Sequence, residues 1–193
     1  MQTEFIETDA GIFTASFSEN GLARLEFPRG QKDPRTAATR ASWQQRRWLS
    51  ATARALREAL AGRPPGDLPP LDLSSGTRFQ RSVWNALRTI PAGMTRSYAE
   101  VARAIGRPKA VRAVGQACGA NPIPVLVPCH RLLAARGKLG GFSGGLEWKQ
   151  ELLAREGALP QDALPPELIS HRLRATARST RRSSPAAGYN RAD

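Results

Sequence analysis

Arg63-Pro64-Pro65-Gly66-Asp67-Leu68-Pro69-Pro70 constrains the fold more than any other stretch of this chain. Proline fixes φ and has no N–H, so neither a helix interior nor an inner strand passes through such a run. The sequence of 193 residues is therefore divided, and the spacing predicts an N-terminal α/β domain over 1–72 and a second, mainly helical domain over 73–157. Each is long enough to bury a modest core.

The first part alternates as strands do. Glu4–Thr8, Ile12–Ser18 and Leu22–Phe27 read as a meander broken by Asp9-Ala10-Gly11 and Glu19-Asn20-Gly21. Residues 30–40 are polar and irregular. From Ser42 to Ala61 the period becomes helical, with Leu49, Ala53, Leu56 and Leu60 on one face and Gly62 as the stop. Trp43 and Trp48 are expected to cover the small sheet.

In the second part, Thr77-Arg78-Phe79-Gln80 is a capping box, in which the hydroxyl and the amide satisfy orphan N–H groups and start a helix to Ile90. Ser97-Tyr98-Ala99-Glu100 is another, opening a helix through Val101, Ala104 and Ile105 to a break at Gly106. A basic helix from Lys109 to about Ala120 follows Pro108. Two helices joined by a short glycine-containing turn are the helix-turn-helix pattern. Lys109, Arg112 and Gln116 are expected to share one face of the second helix, with Val111 and Val114 turned toward a core. A last helix over Glu147–Arg155 should carry Trp148, Leu152 and Leu153 inward. Residues 158–193, rich in Pro, Ala, Ser and Arg without a period, read as a disordered basic tail, and its His171 has no companion motif. The fold class expected is α+β.

Charge is uneven. Of the formal net charge of +13, residues 77–156 hold 13 basic against 4 acidic groups, ten of the cations being arginine. Such a surface fits a polyanion, because guanidinium forks match phosphates and base edges. The N-terminus lacks the apolar run of a signal peptide, and no segment reads as a membrane span, so an intracellular protein with reduced thiols is expected. Cys118 and Cys129 are the only cysteines, at a spacing that makes no metal site.

Cys129 stands directly before His130 in Val127-Pro128-Cys129-His130-Arg131. The run Asn121-Pro122-Ile123-Pro124-Val125-Leu126 ahead of it reads as a stiff, strand-like approach. A lone cysteine is by default a small buried hydrophobe. A loop rich in glycine, from Gly137 to Gly145, follows; it carries Ser143 and would let backbone N–H groups approach a ligand closely.

Ser-Tyr-Ala-Glu, Lys-Ala-Val-Arg-Ala-Val-Gly, Asn-Pro-Ile-Pro, Pro-Cys-His-Arg, Phe-Ser-Gly-Gly and Leu-Leu-Ala-Arg-Glu-Gly occur here in the order and spacing of one family. Over Thr77–Gly157 the chain resembles the catalytic domain of the O6-alkylguanine-DNA alkyltransferases. For residues 1–70 the resemblance is one of layout only, implying a small ribonuclease-H-like domain. It implies irreversible, stoichiometric transfer of an alkyl group from O6-alkylguanine, and from O4-methylthymine, in double-stranded DNA to Cys129, with no cofactor and no metal. It also implies that His130 takes the thiol proton through a water, Glu156 orients the imidazole, and Tyr98 presses on a phosphate and protonates the departing guanine. By the same resemblance Arg112 enters the base stack, Lys109, Ala113, Ala117 and Gly119 lie along the DNA, and Asn121 is a hinge. Ser143, Lys149, the backbone of Cys129 and Leu132, and Phe142 would surround the flipped base. Phe142 and Ala92 stand where many members have tyrosine. A monomer acting on the nucleoid of a bacterial cytoplasm, with no membrane partner, is expected.

Three rival readings use part of these features. A thiol hydrolase would use Cys129 and His130 but leave the helix-turn-helix unexplained. A transcriptional regulator would use only the helix-turn-helix. A non-catalytic lesion-binding relative would resemble this chain with tryptophan in place of Cys129.

Overall fold

The computed structural model describes residues 1–28 and 42–159. The expected irregular stretch 30–40 and all but the start of the expected disordered tail, His171 included, lie outside these residues.

The architecture is α+β. Strands β1 (Gln2–Thr8), β2 (Gly11–Phe17) and β3 (Leu22–Glu26) form an antiparallel meander in that order. Alternation along β2 sends Phe13, Ala15 and Phe17 into the core, as a period of two requires. Helix α1 (Trp43–Leu60) begins at a capping box of Ser42 and Gln45 and buries Ala55, Leu56, Ala59 and Leu60 in that core. Of its two tryptophans only Trp48 covers the sheet, stacked on Phe17 with ring centroids 6.5 Å apart. Trp43 is 63% exposed, because it occupies the first helical position on the face opposite Ala55 and Ala59.

The proline-rich stretch does not float between two bodies. Leu22 N–H donates to Pro70 O and Asp72 N–H to Leu22 O, so the stretch ends as a further rung on β3. From the same strand Leu25 N–H donates to Pro122 O at 2.9 Å, which holds the segment leading to Cys129. One hydrophobic core runs from Ile6 and Phe13 through Leu56 and Trp84 to Leu132 and Leu152.

Helices α2 (Arg78–Arg88) and α3 (Tyr98–Ala104) start at the two expected capping boxes. Between them the two-residue strand β4 (Arg96–Ser97) pairs in parallel with β5 (Leu132–Leu133). Trp84 of α2 is buried and donates its indole N–H to Ala117 O at 2.8 Å. Gly106 (φ 70°) ends α3 in a Schellman motif, with Gly106 N–H on Arg103 O and Arg107 N–H on Ala102 O. Helix α4 then covers Val111–Gly119.

Several expectations change here. Lys109 lies in the turn ahead of α4, since the helix is capped at Ala110, so it shares no helical face with Arg112 and Gln116. Val111 is exposed and only Val114 is buried, as the first helical residue falls outside the packed stripe. Ala117 is buried, its carbonyl accepting from Trp84, on the core side of α4, whereas Gly119 is exposed and Ala113 half-buried. The Asn121–Leu126 run is a closed turn rather than a strand. Trp148 is half-buried, while Leu152 and Leu153 point inward as expected.

Helix α5 (Leu146–Arg155) also ends in a Schellman motif, with Gly157 N–H on Ala154 O and Ala158 N–H on Leu153 O. That fixes Glu156 as the capping residue. Gly62 packs against this end: it has φ 74°, and a Cβ there would fall 1.9 Å from Arg155 O. Gly62→Ala is therefore expected to destabilise the protein by at least about 2 kcal/mol, combining backbone strain with a clash against main chain. A thermal melt indistinguishable from the unsubstituted protein would contradict this packing.

Candidate active site

Asn121 closes the turn that presents Cys129. Its side-chain oxygen accepts from Ile123 N–H at 3.0 Å, and its amide donates to Val127 O at 2.8 Å and to Cys129 Sγ at 3.0 Å. Both donor hydrogens of the amide and one of its acceptor positions are thus committed. Inside the turn Val125 has φ 73°, a conformation that costs a β-branched residue of order 1–3 kcal/mol and persists only where the surroundings impose it. The hinge expected at Asn121 is thus also a direct partner of the sulfur, which the sequence did not show.

Cys129, His130 and Arg131 form one turn of 3-10 helix and are all buried. With three residues per turn, consecutive side chains leave the axis in different directions. His130 Nε2 lies 3.0 Å from Glu156 Oε1, so sequence neighbours meet a residue 26 positions away. The carboxylate only accepts, so Nε2 carries the hydrogen and Nδ1 keeps its lone pair. Among the described residues Nδ1 is buried without a hydrogen-bond partner.

Burial sets the protonation states. It pushes the Cys129 thiol up to about 11, against the smaller opposing effects of Asn121 and the Lys149 charge. It also lowers the pKa of His130, although Glu156 pulls the other way. Burial alone would raise that of Glu156, but bonds from His130 and Arg131 hold it at about 2. At neutral pH the set is thiol, neutral imidazole and carboxylate. With the thiol held well above neutrality by burial, this cysteine needs a base to react.

Folded pKa values below the ordinary 6.5 of histidine and 4.5 of glutamate mean that the unfolded chain binds these protons first. Stability present at neutral pH is then lost on acidification, from pH 6.5 through His130 and from 4.5 toward about 2 through Glu156. The melting temperature should fall accordingly below pH 6.5; a flat profile down to 4.5 would contradict the buried neutral imidazole.

A row of rings connects the sheet to this site. Trp148 packs on Phe13 at 5.6 Å and on Phe27 at 4.8 Å, Phe27 meets Phe142 edge-on at 5.6 Å, and Phe142 meets the His130 ring at 6.5 Å. Gly144 is what admits Phe27, since a Cβ there would lie 2.5 Å from that ring. Phe142 and Ser143 line a recess of about 790 Å³ together with Tyr98, Lys109, Arg112 and Gly119, a size that accommodates a nucleobase. Residues expected on the DNA face (Lys109, Arg112, Gly119) and around the base (Phe142, Ser143) thus line one concavity. Leu132 and Lys149 are completely buried and do not line it; the Lys149 ammonium donates to Leu139 O, pinning the glycine loop. Its burial brings its pKa down to about 8. Tyr98 is half-buried, its hydroxyl pKa raised first by burial and then by Cys118 and Cys129.

Sequence reasoning assigned no role to Arg131. Its Nε donates to Glu156 Oε2 at 3.0 Å and, more weakly, to Oε1 at 3.2 Å, while Nη2 donates to Oε1 at 2.8 Å and Nη1 to Ile90 O at 2.5 Å. Gly93 N–H adds a bond to Oε2 at 3.3 Å. Arginine next to the Cys-His pair was the available signal, but which carboxylate it meets depends on where α5 ends.

Fold and site together define a class: an α+β protein with a buried thiol next in sequence to an imidazole–carboxylate pair, and a recess lined by Arg112 of α4 and by Lys109. Residues 78–158 match the family model described as 6-O-methylguanine DNA methyltransferase, DNA binding domain. The chain is 40% identical over 162 residues to the methylated-DNA–protein-cysteine methyltransferase of Methanosarcina acetivorans, covering 82% of this chain and 99% of that one. To its namesake from Mycolicibacterium paratuberculosis it is 42% identical over 154 residues, 78% of this chain and 89% of that one. In structure it is similar to Mycobacterium tuberculosis OGT in complex with DNA, with TM-score 0.66, 40% identity, and 82% and 94% of the two chains covered. The chain belongs to the methylated-DNA–protein-cysteine methyltransferase family.

Proposed function

We propose that this chain repairs DNA by direct reversal, taking a methyl or other small alkyl group from O6 of guanine, and from O4-methylthymine, onto Cys129. The observation that carries this reading is His130 with Nε2 held by Glu156 and a free lone pair on Nδ1, in a turn that also holds the sulfur. In the transfer, the S–H proton passes through a water to His130 Nδ1, sulfur bonds to the alkyl carbon, and the carbon–O6 bond breaks. The guanine leaves with the bonding pair and takes a proton from Tyr98. No cofactor enters this balance. The thioether that results has no route back, so each molecule acts once.

Helices α3 and α4 serve as the helix-turn-helix. With small side chains at Ala113 and Gly119 on its outer part, α4 enters the minor groove, and Arg112 fills the space of the flipped nucleotide. Ser143 and Phe142 face the extracted base from the recess, while Lys149 holds the glycine loop through Leu139 O. Residues 1–72 form a ribonuclease-H-like domain that buttresses the site, and residues 73–157 form the alkyltransferase domain. The protein acts as a monomer on DNA carrying O6-alkylguanine, in the cytoplasm of a bacterium and on its nucleoid, without a membrane partner. Among the described residues no helix is long and apolar enough to cross a membrane. The lesion-binding alternative leaves Cys129 and its base without use.

Titrating a methylated duplex with the protein tests the reading: lesion loss should plateau in proportion to protein added, and continued turnover would overturn it. Arg112→Ala should slow transfer from duplex by about tenfold or more, the scale of an unstacking cost left uncompensated, with less effect on free O6-methylguanine. Equal losses on both substrates would contradict its role in flipping.

A further inference from the structure

We infer that Arg131 is a positioning residue for the transfer: it fills the Glu156 carboxylate so that the proton released by Cys129 stops on His130. The inference rests on the reading of His130 as the base. A carboxylate offers about four lone-pair positions. At Glu156, Oε1 accepts from His130 Nε2 and Arg131 Nη2, and Oε2 accepts from Arg131 Nε and Gly93 N–H. Every position is thus met by a donor, and a proton can reach the carboxylate only along the Nε2–H···Oε1 bond, onto a group whose charge the two-pronged guanidinium already satisfies. The guanidinium is itself fixed by Ile90 O at 2.5 Å, so it cannot swing aside without losing a main-chain partner. Both side chains are buried, at 7% and 2% exposure, so water does not replace a lost bond readily.

The consequence is a division of labour along three consecutive residues. As the S–H bond breaks, an N–H bond forms at His130 Nδ1 and the ring becomes imidazolium. Glu156 remains a carboxylate throughout and stabilises that cation through Nε2. The Arg131 charge acts on the imidazole in the opposite sense, disfavouring its protonation before substrate arrives. The other charged or titratable groups acting on His130 are Glu156 itself and Lys149 of α5. Burial keeps the base neutral at rest, Arg131 adds to it in the same sense, and the bonds from Arg131 keep the carboxylate ionised during the reaction.

The test is the pH dependence of single-turnover transfer from a methylated duplex. For Arg131→Met the acid limb, which reports loss of neutral His130, should move upward by about one pH unit, the size of a neighbouring-charge effect. Arg131→Lys restores the charge without the two-pronged geometry, so it should return the limb toward its original pH while transfer stays about tenfold slower. A merely structural arginine would lower the folded fraction in both variants and leave the limb in place, and that result overturns the inference. Should Arg131→Met fail to fold, time-resolved infrared spectroscopy of the unsubstituted protein during one turnover decides the point. The Glu156 carboxylate bands should persist, and a protonated glutamic carboxyl band that disappears in Glu156→Gln would overturn the clamp. If the unsubstituted protein never alkylates Cys129, the transfer reading fails; if it does and the limb is unmoved, only the Arg131 inference fails.

Discussion

Cys129→Ser is expected to lose alkyl transfer by about 10³-fold or more, the scale on which removing a nucleophile acts in other covalent mechanisms, while DNA affinity stays within about twofold. The two effects separate because the sulfur is buried, whereas Arg112 and Gly119 are exposed on α4. A hydroxyl is far harder to ionise than a thiol, and the His130 base that suffices for sulfur does not suffice for oxygen. The smaller oxygen can still accept the Asn121 amide, so the turn over 121–127 should hold. Single-turnover assays and fluorescence anisotropy on the same preparation check both halves. Loss of binding together with transfer would show that Cys129 supports the DNA face as well.

Glu156→Ala should act on stability and rate at once. It strands the Arg131 guanidinium and the His130 Nε2–H in a buried site, which costs about 3–5 kcal/mol and lowers the melting temperature by roughly 10 °C. It also frees the imidazole to turn, so protein still folded at low temperature should transfer about 10²-fold more slowly. Calorimetry and single-turnover kinetics well below the melt separate the two losses. A variant with unchanged melting temperature would mean that the Arg131 and His130 bonds to Glu156 contribute nothing net to the fold.

Much of this was legible in the sequence where local rules decide. The capping boxes at Ser97 and Thr77 and the glycine stop at Gly106 are encoded within four residues, and they lie where expected. Register within α4 was not legible: a proline at 108 set the expected start, but the helix is capped at Ala110, which exposes Val111 and buries Ala117. Trp43 misled because propensity says only that tryptophan is apolar, whereas its place on the helix puts it outside the buried stripe. Cys129, His130 and Glu156 were found through the order of motifs, and their meeting follows from a Schellman end whose signal, Glu-Gly, is readable. The bonds from Asn121 to the sulfur and from Arg131 to Glu156 depend on tertiary distances that no local pattern carries.

The central claim is that Cys129 itself receives the alkyl group, and intact and peptide-level mass spectrometry after incubation with a duplex containing O6-methylguanine tests it most directly. The expected result is one added methyl per protein molecule, located on the peptide bearing Cys129, with guanine restored in the DNA. An unmodified Cys129 peptide, or a methyl found on Cys118 instead, would contradict the account.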